Sequence, residues 1–408
     1  MEQGELIPHL FRTESRKITA VLCRLLGVEH ISLAEDIAGE TFLAALETWP
    51  YRGIPENPTA WLYAVAKNKA KNHIHRSRIF SEKISGELRY QALVSEDIDI
   101  DLSEKNIHDS QLEMLFVICH PCISTQSQIG LSLRILCGFG IEEIASALLS
   151  STETINKRLY RAKEKLRSEG MKVEFPPSSE IDKRLDAVLA TLYLLFSEGY
   201  YSESKDQVLR EDLCHEAIRL TRLLTGNEMT NRPTVTALLA LMCFHASRFK
   251  ARQSDPGEMV LYQDQDESLW DQALIAEGAF LLHKAARGEG VSKYHLEASI
   301  AYWHTLKTDS TEKWENILQL FNLLLQMEYS PIAALNRTYA LSRTAGKAAA
   351  ITEAEKLKLE ANHFYHTLLG ELYSGTDNTK AKDHYHKAMT LARTQTDRQT
   401  IQRKLSSL

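Results

Sequence analysis

The amino-acid sequence predicts an all-α protein, and three observations carry that prediction. Apolar residues recur at spacings of three and four along almost the whole chain, the period of a helix with one buried face. No convincing run alternates apolar and polar residues as a half-buried strand would. Only 10 prolines and 18 glycines occur in 408 residues, and most cluster at a few breaks. The length suits two or three domains. A hydrophobic content of 44% and a charged content of 25% are ordinary for chains that bury a core in each domain.

Four blocks follow in order. Residues 1–80 hold helical runs at 6–26 and 33–49, a Pro/Gly-rich loop at 50–58, and a long helix from 59 to about 78. Residues 81–110 are polar and acidic, with Glu96, Asp97, Asp99, Asp101, Glu104 and Asp109 against Lys83, Arg89 and Lys105. Such a stretch buries little and reads as a linker. Residues 111–172 form a compact helical unit that ends in a basic helix. A joint marked by Pro176 and Pro177 leads to a last, wholly helical block at 180–408. There, Leu335-Asn336 with Tyr339 recurs 34 residues later as Leu369-Gly370 with Tyr373, and Tyr385 and Ala388 follow. That is the period of a tetratricopeptide-like helical repeat. An irregular helical bundle is the alternative.

Charge and cysteine content narrow the function. A net charge of −6 gives no overall sign of a nucleic-acid partner, so any such contact must be local. Six cysteines (Cys23, Cys119, Cys122, Cys137, Cys214, Cys243) are too sparse for a disulfide framework and read as reduced thiols of a cytoplasmic protein. The first ten residues carry Glu2 and Glu5 and lack a signal-peptide pattern. The richest apolar stretches, 189–196 and 238–244, fall well short of a membrane span. No membrane partner is expected.

Two local stretches carry basic charge. The helix at 59–78 has Lys67, Lys69, Lys71, Arg76 and Arg78, with His73 and His75 among them and no acidic residue. Trp61, Leu62, Ala64, Val65 and Ile74 can face a core. A helix apolar on one side and cationic on the other suits a phosphate backbone, whose counterions it releases. A solvated lysine surface is the bland alternative. The second stretch begins with a short amphipathic helix, Gly140-Ile141-Glu142-Glu143-Ile144-Ala145-Ser146-Ala147-Leu148-Leu149. Ser150 with Glu153 fits a capping box for the next helix. In that helix Ile155, Leu159, Ala162 and Leu166 make a buried stripe. Lys157, Arg158, Arg161, Lys163, Lys165 and Arg167 lie off it. Two helices joined by a tight turn, the second capped and basic, have a helix-turn-helix layout. Thr154, Asn156, Lys157, Arg158 and Arg161 are then placed to meet base edges. The turn lacks the usual glycine, and an ordinary charged hairpin is the alternative.

Three motifs in this order resemble the extracytoplasmic-function sigma-70 family. They are Ala34-Glu35-Asp36-Ile37-Ala38-Gly39-Glu40-Thr41-Phe42, Trp61-Leu62-Tyr63-Ala64-Val65-Ala66-Lys67-Asn68-Lys69-Ala70-Lys71-Asn72, and Glu142-Glu143-Ile144-Ala145 through Arg158-Leu159-Tyr160-Arg161-Ala162-Lys163-Glu164-Lys165-Leu166-Arg167. The resemblance implies core RNA polymerase and promoter DNA as partners. Glu35, Asp36, Glu40 and Phe42 would meet the polymerase, whose beta-prime clamp and beta flap are the implied contact surfaces. Tyr51, Arg52 and Asn57 of the loop, with Trp61, Lys67, Asn68, Lys71, Asn72, His75 and Arg76, would meet the −10 element. Thr154, Asn156, Lys157, Arg158, Arg161 and Lys165 would meet the −35 element. A proline-rich loop with flat polar groups can also form a pocket for a base that leaves the stack.

The resemblance extends to a subgroup with a tetratricopeptide-like C-terminal extension. It is carried by Trp49-Pro50 through Asn57-Pro58, by Ile118-Cys119-His120-Pro121-Cys122, by Glu198-Gly199-Tyr200-Tyr201 and by Asp264-Gln265-Asp266-Glu267-Ser268-Leu269-Trp270. It implies that residues 180–408 modulate activity by meeting a regulatory protein or ligand. The subgroup often has Asp where Asn72 stands and an arginine pair near His75-Arg76, departures that bear on promoter sequence.

A polymerase-independent helix-turn-helix regulator is the main rival. It leaves the 34–42 motif and the first basic helix without roles. A scaffold whose repeats do the work is a second. No Ser/His/Asp motif, phosphate-binding glycine loop or HExxH occurs, so no catalytic residue and no cofactor is expected. Cys119, His120 and Cys122 have no second pair at ligand spacing, with Cys137 the one candidate fourth ligand, so no metal is expected. His363, His366, His384 and His386 are expected on repeat surfaces.

Overall fold

The computed structural model describes residues 3–84, 100–148, 150–200, 210–252, 260, 262–392 and 394–408. Among them every regular element is helical, and no strand occurs. The chain divides into two compact units, Met1–Leu194 and Leu195–Leu408.

The first unit opens with α1 (Gln3–Leu26), α2 (Ile31–Arg52) and α3 (Pro58–Ile84). Gly27, at φ +93°, turns the chain after α1. The apolar stripes of α1 and α2 meet through Ile18, Leu22, Ile31, Ala34, Ala38 and Phe42, all buried. α2 runs three residues past the expected end at Trp49. Pro50 forfeits one bond, to the Leu46 carbonyl, on the exposed side of the helix. Gly53, at φ +82°, ends it by donating its N–H to the Trp49 carbonyl at 3.0 Å. The loop is therefore only 53–57. Pro58 takes the first position of α3, where its missing N–H costs nothing. The Asn57 side-chain oxygen caps that helix by accepting the Ala60 N–H at 3.0 Å.

The remainder of this unit is α4 (Glu104–Ile118), α5 (Thr125–Leu131), α6 (Ile141–Ala147), α7 (Thr152–Ser168) and the first part of α8 (Ile181–Tyr200). α4 packs on α1 and buries Leu112, Met114, Leu115, Phe116, Val117 and Ile118. Its first turns lie in the stretch read as a linker. Of that stretch, residues 85–99 lie outside the described residues, but Ile100, Leu102, Ile107 and Ser110 are buried. The acidic composition misleads there because the charges sit where a helix start wants them. Ser103 caps α4, Asp101 accepts the Ser103 N–H at 2.8 Å, and Glu104 stands exposed in the first turn. α5 passes into one π turn at Ser132–Leu136. α8 is tied down by Arg184, which donates to the Phe116 carbonyl at 2.7 Å, and by Thr191, whose hydroxyl donates to the Gln128 side-chain oxygen at 2.8 Å.

The second unit takes the end of α8, then α9 (Glu211–Thr225), α10 (Pro233–Ala246), α11 (Gln272–Ala285), α12 (Lys293–Trp303), α13 (Thr311–Met327), α14 (Pro331–Thr344), α15 (Lys347–Leu357), α16 (His363–Tyr373), α17 (Asn378–Leu391) and α18 (Gln395–Ser406). α10 is buried nearly all round, from Val235 through Phe244, as a helix apolar on every face must be. It is packed by α9, α11 and α12.

From α13 onward each helix packs mainly on its neighbours in the chain, and the core breaks into a series of small clusters. Leu296, Ile300, Trp314, Ile317 and Phe321 form one. Leu335, Ala350, Ala354, Tyr365, Leu369 and Leu372 form the next, and Tyr385, Ala388, Ala392 and Ile401 the last. Such serial cores are the packing logic of helical repeats. The echoing pair Leu335 and Leu369 is buried. Gly370 lets the Tyr385 ring approach so closely that a Cβ there would stand 2.7 Å from it. His366 departs from expectation. It is 1% exposed, with Nδ1 3.1 Å from His384 Nδ1 and Nε2 3.0 Å from the Glu360 carbonyl, so it fills the α16–α17 interface.

Candidate nucleic-acid interface

Three helical faces of the first unit bring the sequence-derived residues to the surface. The first is α2. Its buried side carries Ala34, Ile37, Ala38, Thr41, Phe42, Ala45 and Trp49. Asp36 and Glu40 are exposed on the other side. Phe42 does not join them. It is 3% exposed and meets Phe11 edge-on with ring centroids 5.1 Å apart. The apolar groups beside the carboxylates are Leu43 and Leu46, each about half exposed (53% and 52%). The sequence reading missed both. The signal was the 36, 40, 43, 47 spacing, which puts Leu43 rather than Phe42 on the acidic face.

Glu35 is not free on that face. Its carboxylate accepts from Arg134 Nε at 2.7 Å and from Lys163 Nζ at 2.5 Å. Its side chain is 15% exposed. Lys163 belongs to α7, so a residue expected to serve one partner is held by the helix expected to read DNA.

The second face belongs to α3. Leu62, Ala66 and Ala70 form the buried row, spaced by four, and Ala64 is exposed rather than buried. Trp61 is partly buried and meets Trp49 at 5.4 Å in a T-shaped contact. Asn68, Asn72, His75 and Arg76 are exposed, and Lys67 and Lys71 are half-buried. Lys69 is paired with Glu40 at 2.9 Å, which joins the basic face to the acidic one. Tyr63 donates to Glu14 at 2.6 Å, and burial with that acceptor pushes its hydroxyl well above the usual range. At the head of α3, Tyr51 is 89% exposed, Arg52 is exposed, and Asn57 has its oxygen committed to the cap. Arg78 has no described side-chain placement.

The third face is α7. The expected stripe holds: Ile155, Leu159, Ala162 and Leu166 are all buried. The cap differs by one residue. Ser151, not Ser150, accepts the Thr154 N–H at 3.1 Å, and Glu153 instead pairs with Lys157 at 2.6 Å. With Thr152 as the first helical residue, Ser151 is the N-cap, and its hydroxyl reaches the unbonded N–H of the third helical residue, Thr154. Half of a capping box appears one helix earlier, where Glu143 accepts the Gly140 N–H at 2.7 Å. Thr154, Asn156, Lys157 and Arg161 are exposed, and Arg158 is half-buried. Lys165 is exposed but paired with Glu169 at 2.5 Å. The preceding α6 is linked to α7 by residues 148–151, of which 149 lies outside the described residues.

The Cys119–Cys122 segment offers no thiolate pair. Cys119 is buried, and burial pushes its thiol up to about 12. The Cys122 N–H donates to His120 Nδ1 at 3.2 Å. Among the described residues no group of three His, Cys, Asp or Glu is arranged to hold a metal ion. Among them too, no helix is long and apolar enough to cross a membrane.

Comparison with known proteins bears on these faces. Residues 10–79, covering most of α1 with α2 and most of α3, match the family Sigma-70 region 2. Residues 184–286 match a family of unknown function, DUF6596. Over 395 residues the chain is 32% identical to an uncharacterized protein of Rhizobium meliloti (strain 1021), a stretch that covers 93% of this chain and 90% of that one. No solved structure matches the chain.

Proposed function

Because the chain belongs to one family with that Rhizobium protein and carries a sigma-70 region 2, we propose that it is a sigma factor. In this reading it binds core RNA polymerase and directs it to promoters. The observation that carries the reading is the sigma-70 region 2 match over three helices whose surface holds an acidic–leucine face beside a basic one. Asp36, Glu40, Leu43 and Leu46 of α2 dock on the beta-prime clamp. Carboxylates around exposed leucines suit a partner with basic residues around an apolar groove. Tyr51, Arg52, Asn68, Asn72, His75 and Arg76 contact the −10 element.

The α6–α7 pair acts as a helix-turn-helix in the manner of sigma region 4, with Asn156, Lys157, Arg158 and Arg161 at the −35 element. Support comes from the exposed polar start of α7 and its fully buried apolar stripe, the layout in which a recognition helix presents its N-terminal part to a groove. The domain assignment is residues 1–80 for core and −10 binding, and 111–172 for −35 binding, as in extracytoplasmic-function sigma factors. The helices of the second unit form a tetratricopeptide-like modulator, supported by their serial cores.

In vitro transcription with purified core polymerase and a genomic fragment library tests the proposal. Discrete start sites that depend on the added chain are expected. A chain that neither associates with core nor directs any start site would overturn it. Specific DNA binding without core would favour a free-standing regulator.

A further inference from the structure

In the second unit, two segments singled out in the sequence meet around one ring. Tyr200 comes from the end of α8, Gln265 and Trp270 from the 264–270 stretch before α11, and the ring itself, Tyr262, from two residues ahead of that stretch. Tyr262 is the shared element. Its ring stacks with Trp270 at 6.3 Å and meets His304 edge-on at 5.2 Å.

Two cations lie against that same ring. The Arg248 guanidinium carbon is 5.5 Å from its centroid and Lys313 Nζ is 5.4 Å from it. Both are deeply buried, Arg248 at 7% and Lys313 at 2% exposure. Arg248 donates to the Tyr200 hydroxyl at 3.2 Å. Lys313 donates to the Tyr262 hydroxyl at 3.1 Å and to the Leu306 carbonyl. None of these acceptors is a carboxylate. Among the described residues no carboxylate stands within ion-pair distance of either cation. Asp309 and Glu267 stand near Lys313 without pairing with it, and burial, with Arg248, outweighs them and lowers the ammonium's pKa. Burial and the two cations hold His304 at about 3, so it is neutral and adds no charge of its own.

Polar groups in this cluster also lack partners. Arg248 Nε, Trp270 Nε1 and Gln265 Oε1 are buried without a hydrogen bond, in side chains that are each less than 8% exposed. A buried N–H without an acceptor and a buried cation without a counter-charge are both costly. Two such cations, one of them with an unpartnered Nε–H, beside the unpartnered Trp270 N–H call for one compact acceptor of negative charge. A cation over a tyrosine face recovers only part of the lost hydration.

We propose that this cluster is a binding site for a phosphate-type oxyanion, held by Arg248, Lys313 and the Trp270 N–H. The chemistry is specific to that class. A dianion balances two cations, and oxygens on several sides can accept at once from the guanidinium edge, the ammonium and the indole. Arginine and lysine together supply a planar fork and a point charge to such a group. The tyrosine and tryptophan rings wall the site and exclude water, which strengthens each contact. The group can arrive as free phosphate or on a phosphorylated small molecule.

Thermal melts and calorimetry on the full chain, titrated with inorganic phosphate, test this. A saturable rise in melting temperature is expected with phosphate and not with sodium chloride at matched ionic strength. Arg248→Met should weaken phosphate binding by about tenfold or more, the scale of a lost charge-assisted contact. Trp270→Phe removes only the N–H and should weaken it several-fold while far-ultraviolet circular dichroism stays unchanged. If Arg248→Met fails to fold, Trp270→Phe alone decides. Glycerol 3-phosphate separates the two sources, since tighter binding than inorganic phosphate marks an ester and weaker binding marks the free ion. No saturable effect beyond sodium chloride, or wild-type affinity in the variants that fold, overturns the site.

Discussion

Glu35 of α2 accepts a 2.5 Å hydrogen bond from Lys163 of α7, 128 residues further along the chain. Its other oxygen takes Arg134 at 2.7 Å. One carboxylate thus bridges two cations, and the Glu35, Lys163 and Arg134 side chains are 15%, 20% and 34% exposed. Glu35→Ala leaves both cations half-buried and unpaired and should cost about 2 kcal/mol in urea unfolding. Lys163→Met should cost less, because Arg134 stays paired. The double-mutant cycle should give a coupling of about 1 kcal/mol, and a value near zero would mean the contact contributes nothing.

The same ion pair matters to the proposed function. The −10 and −35 elements lie more than two turns of duplex apart, roughly 70–85 Å at 3.4 Å per base pair. A compact unit of this length has a radius of gyration of about 16 Å. If α3 and α7 bind the two elements as proposed, they cannot span both while Lys163 holds Glu35, and promoter binding would require this contact to open. Lys163→Glu sets two carboxylates against each other and should enlarge the first unit in small-angle scattering. If the chain is a sigma factor, the change should also raise its affinity for core polymerase. An unchanged scattering profile would show that the packing of α1 on α4 closes the unit without the ion pair.

If α7 reads DNA as proposed, base reading separates from backbone contact. Arg161 is exposed and Arg158 is half-buried, and neither has a carboxylate partner among the described residues. Arg158→Ala and Arg161→Ala should each cost about 1–3 kcal/mol in promoter binding if they meet base edges, with relaxed sequence preference. Lys165→Ala should lower the salt slope by about one unit and leave preference intact. Stability should stay within about 0.5 kcal/mol in all three, since none packs in the core. Footprinting across a salt series reads the difference.

Much of this architecture was legible because helices announce themselves by period. The stripe Ile155, Leu159, Ala162 and Leu166 was read correctly because four apolar residues at spacings of three and four leave no second solution. Phe42 was misplaced because an aromatic beside an acidic motif looks like a docking residue, and only the helix phase shows that it faces Phe11. Ser150 and Ser151 could not be told apart from sequence, since either can cap and the choice depends on where the first turn closes. Nothing in the sequence could reveal the Glu35–Lys163 pair, which depends on tertiary packing over 128 residues. The Tyr262 cluster was half visible. Its segments stood out, but Arg248 and Lys313 are single cations in unrelated stretches until the fold brings them to one ring.

Glu113 makes a pH dependence that can be assigned to one residue. It sits in the middle of α4, 5% exposed, with Arg24 at 2.9 Å. Burial outweighs that arginine and, with Asp109 and Glu174 nearby, pushes its carboxyl up to about 7 from 4.5. The folded chain therefore keeps a proton that the unfolded chain has already released between pH 4.5 and 7. Unfolding then releases a proton, so stability is full below 4.5 and falls as pH rises through 7. The loss is at most about 3 kcal/mol at 1.36 kcal/mol per unit. Glu113→Gln keeps the shape without the charge. Arg24 retains Asn106 as an acceptor at 2.8 Å and is exposed enough to hydrate. The variant should match the parent at pH 4.5, exceed it by about 1–3 kcal/mol at pH 8, and flatten the stability curve between. A variant less stable than the parent at pH 8 would mean that the Arg24 ion pair, and not burial, governs this carboxylate.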